Sequence, residues 1–219
     1  MTSNLYRSSN QVFFESQRLK EYFDSVFEIS LNASLLSDKI KLNPSSEQAL
    51  ITISQKLGTL SIDLKEITNE LFDQATSLSK FSLAFSTVEA HRKKLLEAKE
   101  LVHNSVDKSV VEKAIHRFSL KMGNSCKKSL EQIKKINIIL DRLTTLVKKV
   151  WISINNMKIE MAQEDGETDY EVTANELEEA IEKVKESFLC LEKNMGPITD
   201  FAKSFLSGLN IKDEVESDQ

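Results

Sequence analysis

The chain has 219 residues and a formal charge of −5, with only five Gly and two Pro, where average usage would give about twenty-six together. Turns and strand boundaries depend on those two residues, so many-stranded sheets and barrels are excluded, as are the glycine loops that cradle phosphates. An acidic balance with 29% charged and 40% hydrophobic residues fits a protein with a buried core and no general affinity for nucleic acid.

The amino terminus, MTSNLYRSSNQVFF, lacks the charged-then-apolar pattern of a leader. No run approaches the ~18 apolar residues of a membrane span. Cys126 and Cys190 form neither a C-x-x-C pair nor a disulfide framework, which suits a reducing compartment, and a cytoplasmic protein is expected. The first helix is predicted over 4–42. Leu42-Asn43-Pro44-Ser45-Ser46 reads as a turn with a capping serine, because Pro disfavours helix for Asn43.

A second helix is predicted over 46–103. Ile53, Leu57, Leu60, Leu64, Ile67, Leu71, Leu78, Phe81, Phe85, Val88 and Leu95 step by fours and threes, the spacing of a supercoiled helix packed against partners. After a soft boundary at 103–107, with Ser105 or Asp107 as cap, a third helix over 107–163 carries Ile133, Ile136, Leu140, Leu143, Val147, Val150, Ile154, Met157 and Met161. Glu164–Asp169 forms the next turn, with Gly166 inside it. A fourth helix over 168–209 repeats the rhythm through Leu177, Ile181, Val184, Phe188, Leu191, Met195, Ile198, Ala202, Phe205 and Leu209. Gly196-Pro197 should kink or restart it, and the acidic residues 212–219 should fray.

The expected fold is all-α: an elongated antiparallel four-helix coiled-coil bundle made of two tandem helical hairpins, 1–103 and 104–211. At 1.5 Å per residue the outer helices would span ~60 Å and the inner pair ~90 Å, leaving the inner pair to overhang at one end. Sliding the chain by 124 residues brings Val26, Ser30 and Ala33 onto Val150, Ile154 and Met157 and brings Asn32 onto Asn156. Duplication of one hairpin is one reading of that match; heptad register alone is the other.

Residues 154–163, INNMKIEMAQ, with an acidic turn and then YEVTANEL at 170–177, resemble the hairpin tip of bacterial methyl-accepting chemotaxis receptors. Asn156, Ile159, Glu160, Ala162, Tyr170, Val172, Ala174, Glu176 and Leu177 match that tip in type. Residues 29–40, ISLNASLLSDKI, look like a weaker copy through Leu31, Asn32, Ala33 and Leu35. Lys39 and Gln163 stand where the family has arginine, and Leu36 stands where it has glutamate. The resemblance implies dimer-like pairing of two hairpins in one chain and contact, through the tips, with a chemotaxis histidine kinase, its coupling protein or receptors. Asn32, Asn156, Glu160, Gln163, Asp165 and Tyr170 are the candidate contact residues. It also implies methyl-ester tuning on paired Glu or Gln, for which Glu131-Gln132 and Glu178-Glu179 are the candidates.

His91, His103 and His116 gather where the inner helices turn, but no H-x-x-x-H or E-x-x-H spacing supports a metal. Cys126 continues a seam, so the neighbouring lysines are not expected to activate it. No nucleophile–base set is found, and neither an enzyme nor a cofactor is expected. The favoured function is a non-enzymatic signalling or adaptor protein. A coiled-coil scaffold unrelated to chemotaxis and a four-helix response-regulator phosphatase are the alternatives, and a further homodimer is left open.

Overall fold

A computed structural model of the chain describes residues 2–37, 44–162 and 169–217. Four α-helices account for nearly all of them, and no strand occurs among the described residues: α1 (Thr2–Ser37), α2 (Pro44–Leu101), α3 (Ser105–Met161) and α4 (Asp169–Ser217). The all-α four-helix bundle expected from the heptads is present.

Helix ends follow local chemistry. Pro44 is the first residue of α2, where its fixed φ suits helix entry and its missing N–H belongs to the turn that has no intrahelical acceptor. Asn104, rather than Ser105 or Asp107, caps α3: its Oδ1 accepts the Val106 N–H at 3.0 Å, and its carbonyl accepts the Lys108 N–H at 3.0 Å. α4 runs unbroken through Pro197 and on to Ser217. Helix therefore extends past 209, through residues expected to fray, with no restart at Gly196-Pro197.

The buried seam of α2 differs from the expected one. Every seventh residue from Leu50 through Leu57, Leu64, Leu71 and Leu78 to Phe85 is buried, and the alternate heptad position holds Ser54, Ser61, Thr68, Ala75 and Ser82, all equally buried. Ile53, Ile67, Phe81, Val88 and Leu95 lie half-buried on the flank. Large and small residues thus alternate along one stripe, which lets side chains of neighbouring helices fill the space above each small residue. α1 uses the same device in part, with Leu5, Val12, Leu19 and Val26 alternating with Ser9, Ser16 and Ser30, while Phe23 fills the remaining alternate position with a large ring. Several buried hydroxyls bond back to their own helix: Thr68 Oγ1 to the Leu64 carbonyl at 2.6 Å, Ser30 to Val26 at 2.7 Å and Ser61 to Gly58 at 2.8 Å. This removes most of the cost of burying them. The expected seam residues of α3 are all buried, and those of α4 are buried except for half-exposed Phe188, Phe205 and Leu209.

Contacts divide the chain into two compact units, each drawing on all four helices. The first contains residues 1–13, 74–136 and 191–219; the second contains 14–73 and 137–190. Within the first, Ser9 and Ser82 hydrogen-bond at 2.5 Å and Ser79 donates to Asn10 Oδ1 at 2.7 Å, tying α1 to α2. Phe85 packs edge-on against Phe201 and Phe205, with centroids 5.3 and 5.2 Å apart. α4 packs against α3 at Gly123, where an added Cβ would lie 2.8 Å from Leu209 Cδ1. From Ser86 to Lys121 no described side chain is fully buried, so the ends of α2 and α3 form a hairpin without a core of its own. Within the second unit, Lys65–Asp24 (2.9 Å) joins α1 to α2 and Arg142–Glu70 (2.9 Å) joins α2 to α3. Lys185 Nζ lies 4.2 Å from the Trp151 ring centroid, between α3 and α4.

Two substitutions test the small–large seam. Ser61→Leu should lower stability by ~1–3 kcal/mol through overpacking. Gly58→Ala, where a Cβ meets nothing within 4 Å, should raise it by ~0.5–1 kcal/mol through helix propensity. Urea unfolding of the two variants measures both.

Candidate functional site

The second unit contains the ends of α1 and α3 and the starts of α2 and α4. On α1, the i, i+3, i+4 spacing of Asn32, Leu35 and Leu36 puts them on one outward stripe. With Asp169, Val172 and Thr173 of α4 they line an open groove. On α3, Asn156, Ile159 and Glu160 have the same spacing and line a second groove with Gln48, Ala49, Thr52 and Ile53 of α2. The two grooves correspond at the 124-residue offset: Asn32 with Asn156, Leu35 with Ile159, Leu36 with Glu160, Gln48 with Val172 and Ala49 with Thr173.

Both asparagines are exposed. Leu35 and Ile159 expose 61% and 59% of their surface, much as Ile138 and Leu189 do on the outer faces of their helices. Neighbours of the lining residues in sequence, Ala33, Leu50, Met157 and Ala174, lie at 0% exposure in the core. An exposed aliphatic next to an exposed amide can offer a partner both burial and a directional hydrogen bond.

The other expected contact residues are placed differently. Tyr170 is 1% exposed; its ring belongs to the core and offers no outward surface, because it continues inward the heptad that runs on through Leu177 and Val184. Glu160 is half-buried in the α2–α3 groove. Gln163 and Asp165 lie outside the described residues. Of the modification candidates, Glu131 and Glu179 are exposed, and Glu178 is ion-paired with Lys158. Gln132 is only 9% exposed, and its Oε1 is buried without a hydrogen-bond partner.

All three histidines belong to the first unit and are exposed. The His91 ring sits 6.1 Å from that of Phe118. His116 lines a cleft with Arg92, Lys99, Glu112, Phe205 and Leu209. There Lys99 meets Glu112 at 2.8 Å, and this hydrogen bond, with the opposite charge, raises the lysine above its usual value and lowers the carboxylate below its own. Arg92 Nε donates to Ser119 Oγ at 3.0 Å across the same hairpin. No group of three or more His, Cys, Asp or Glu able to hold a metal ion occurs among the described residues. Burial pushes the Cys126 thiol up to about 12.

The groove walls supplied by α2 and α4 were not legible in the sequence. Gln48, Ala49, Thr52 and Thr173 carry no motif, and only the fold sets them beside Asn156 and Asn32. The 124-residue offset was the available signal, since it pairs Leu35 with Ile159 as well as the two asparagines.

No family model matches the chain, and no curated protein or solved structure matches it. No helix among the described residues is long and apolar enough to cross a membrane.

Thiol labelling of the folded protein at mildly alkaline pH should modify half-buried Cys190 and spare Cys126 until the chain unfolds. The unfolded Cys126 thiol ionises near its ordinary value of 9.0 and the folded one at about 12. Its contribution to stability is therefore complete below the first value and declines as pH rises towards the second. Mass mapping of labelled peptides checks the order of reaction.

Proposed function

We propose that the protein is a non-enzymatic interaction module, an adaptor or signalling component that holds protein partners through the paired grooves of its second unit. The observation that carries this reading is the matched pair itself. Two grooves 124 residues apart in sequence share an exposed asparagine and an exposed aliphatic at corresponding positions. Open grooves of this kind suit a helix or extended segment of another protein better than an enclosed small molecule.

The resemblance of the α3–α4 segment to a chemotaxis-receptor tip names the partners to try first: a chemotaxis histidine kinase and its coupling protein. Asn156 and Glu160 border the α2–α3 groove, and Asn32 borders the α1–α4 groove. The grooves differ where Leu36 replaces Glu160, so one is apolar and the other acidic at that point. Two unlike sites on one chain suit an adaptor that distinguishes its partners.

Leu35→Asp and Ile159→Asp place a charge on exposed positions and should leave helix content unchanged. Each should weaken capture of a partner at its own groove by about tenfold or more, the range of a central aliphatic contact. Pull-down with chemotaxis kinase and coupling protein, read by immunoblot, is the direct assay. Retention by the wild-type chain and loss in the variants supports the receptor-like reading. Failure of the wild-type chain to retain either component, where a receptor fragment succeeds, overturns it.

A further inference from the structure

One face of α3 in the first unit carries an unneutralised line of positive charge. Lys113, Arg117, Lys121, Lys128 and Lys135 recur at steps of four or seven, so they project from one side of the helix. All five are exposed, and none forms an ion pair with a described carboxylate. Glu131 is the one acidic residue on this face between 113 and 135. The stripe stands out in a chain whose formal charge is −5.

Apolar side chains lie within the same stripe. Val106, Val110 and Leu120 are 67%, 62% and 46% exposed. Two of the lysines rest over aromatic rings, Lys121 Nζ at 5.5 Å from the Phe118 centroid and Lys128 Nζ at 5.4 Å from that of Phe81, which holds their stems along the surface. From 106 to 135 the helix rises ~44 Å.

We infer that this face of α3 docks on the surface of a bilayer containing anionic lipid. A straight stripe of cations suits a flat array of phosphates, and valine and leucine among the cations suit the boundary between headgroups and acyl chains. A nucleic acid would use the cations and leave the three aliphatic residues without a role. The acidic remainder of the chain is repelled by the same surface, so attraction confined to this stripe also fixes the orientation of docking.

Flotation of the full chain with vesicles tests the inference. Phosphatidylcholine vesicles containing phosphatidylglycerol should carry the protein at low salt and release it as salt rises; vesicles of phosphatidylcholine alone should not carry it. The triple variant K113E/R117E/K121E should lose at least about tenfold in partitioning. V106S/V110S should lose a smaller factor, and circular dichroism should show both variants still helical. Equal recovery with neutral and anionic vesicles, no recovery with either, or unchanged partitioning of the triple variant would overturn it. So would tighter binding to duplex DNA than to the anionic vesicles, which would assign the stripe to nucleic acid.

Discussion

Alternation of large and small residues along the buried seams is the constraint on which the rest of the molecule depends. α2 keeps Leu or Phe at one heptad position from Leu50 to Phe85 and Ser, Thr or Ala at the other from Ser54 to Ser82. A four-helix core filled only with leucine would be overfull or loosely specified, whereas alternating volumes interdigitate at interior density. Hydroxyls at the small positions would weaken such a core if left unpaired. Thr68 and Ser61 instead bond to carbonyls one turn back, and Ser9 and Ser82 to each other. Ser54 Oγ alone of these seam hydroxyls is buried without a partner, and the surrounding leucines supply the burial that offsets that cost.

The same heptad explains where the core stops. Beyond Phe85 the seam positions of α2 are Glu89, Arg92, Leu96 and Lys99, and before Met122 those of α3 are Ser119, Ile115, Glu112 and Lys108. Charged groups are too costly to bury without full pairing. These residues therefore remain at the surface and pair across the hairpin, as Lys99 does with Glu112 and Arg92 with Ser119. Substituting charge for leucine at seam positions turns a bundle into a solvated hairpin with no change of helical phase. The features available for contact are consequently surface features: the grooves of the second unit and the cationic face of α3 in the first.

Helix count and class could be read directly, since sustained heptads and a near absence of Gly and Pro leave few other folds. The seams of α3 and α4 were legible because large aliphatics occupy both heptad positions. α2 was read one flank too far round, because Ile53, Ile67 and Phe81 are more apolar than the serines that form the core. Identifying Ser61 or Thr68 as interior requires knowing that the hydroxyl has an acceptor, which periodicity does not report. On α1 the 124-residue offset picked out Val26, Ser30 and Ala33, all buried, whereas the earlier seam positions Ser9 and Ser16 escaped for the same reason. At the candidate site, Asn32, Asn156 and Glu160 were singled out by their offset and context, whereas Tyr170 was assigned to the surface from its place beside the turn, although its one-heptad spacing to Leu177 and Val184 puts it in the core. The groove walls from α2 and α4 are set by tertiary packing alone.

Amide hydrogen exchange read residue by residue tests the seam most directly. Slow exchange should follow α2 from Leu50 to Phe85 and α3 from Met122 to Met161. Exchange should be markedly faster over 86–101 and 105–121, where helix persists without a buried core. Uniform protection along the full length of α2 and α3, or slow exchange continuing to the 102–104 turn, would contradict a core that ends where the seam becomes charged.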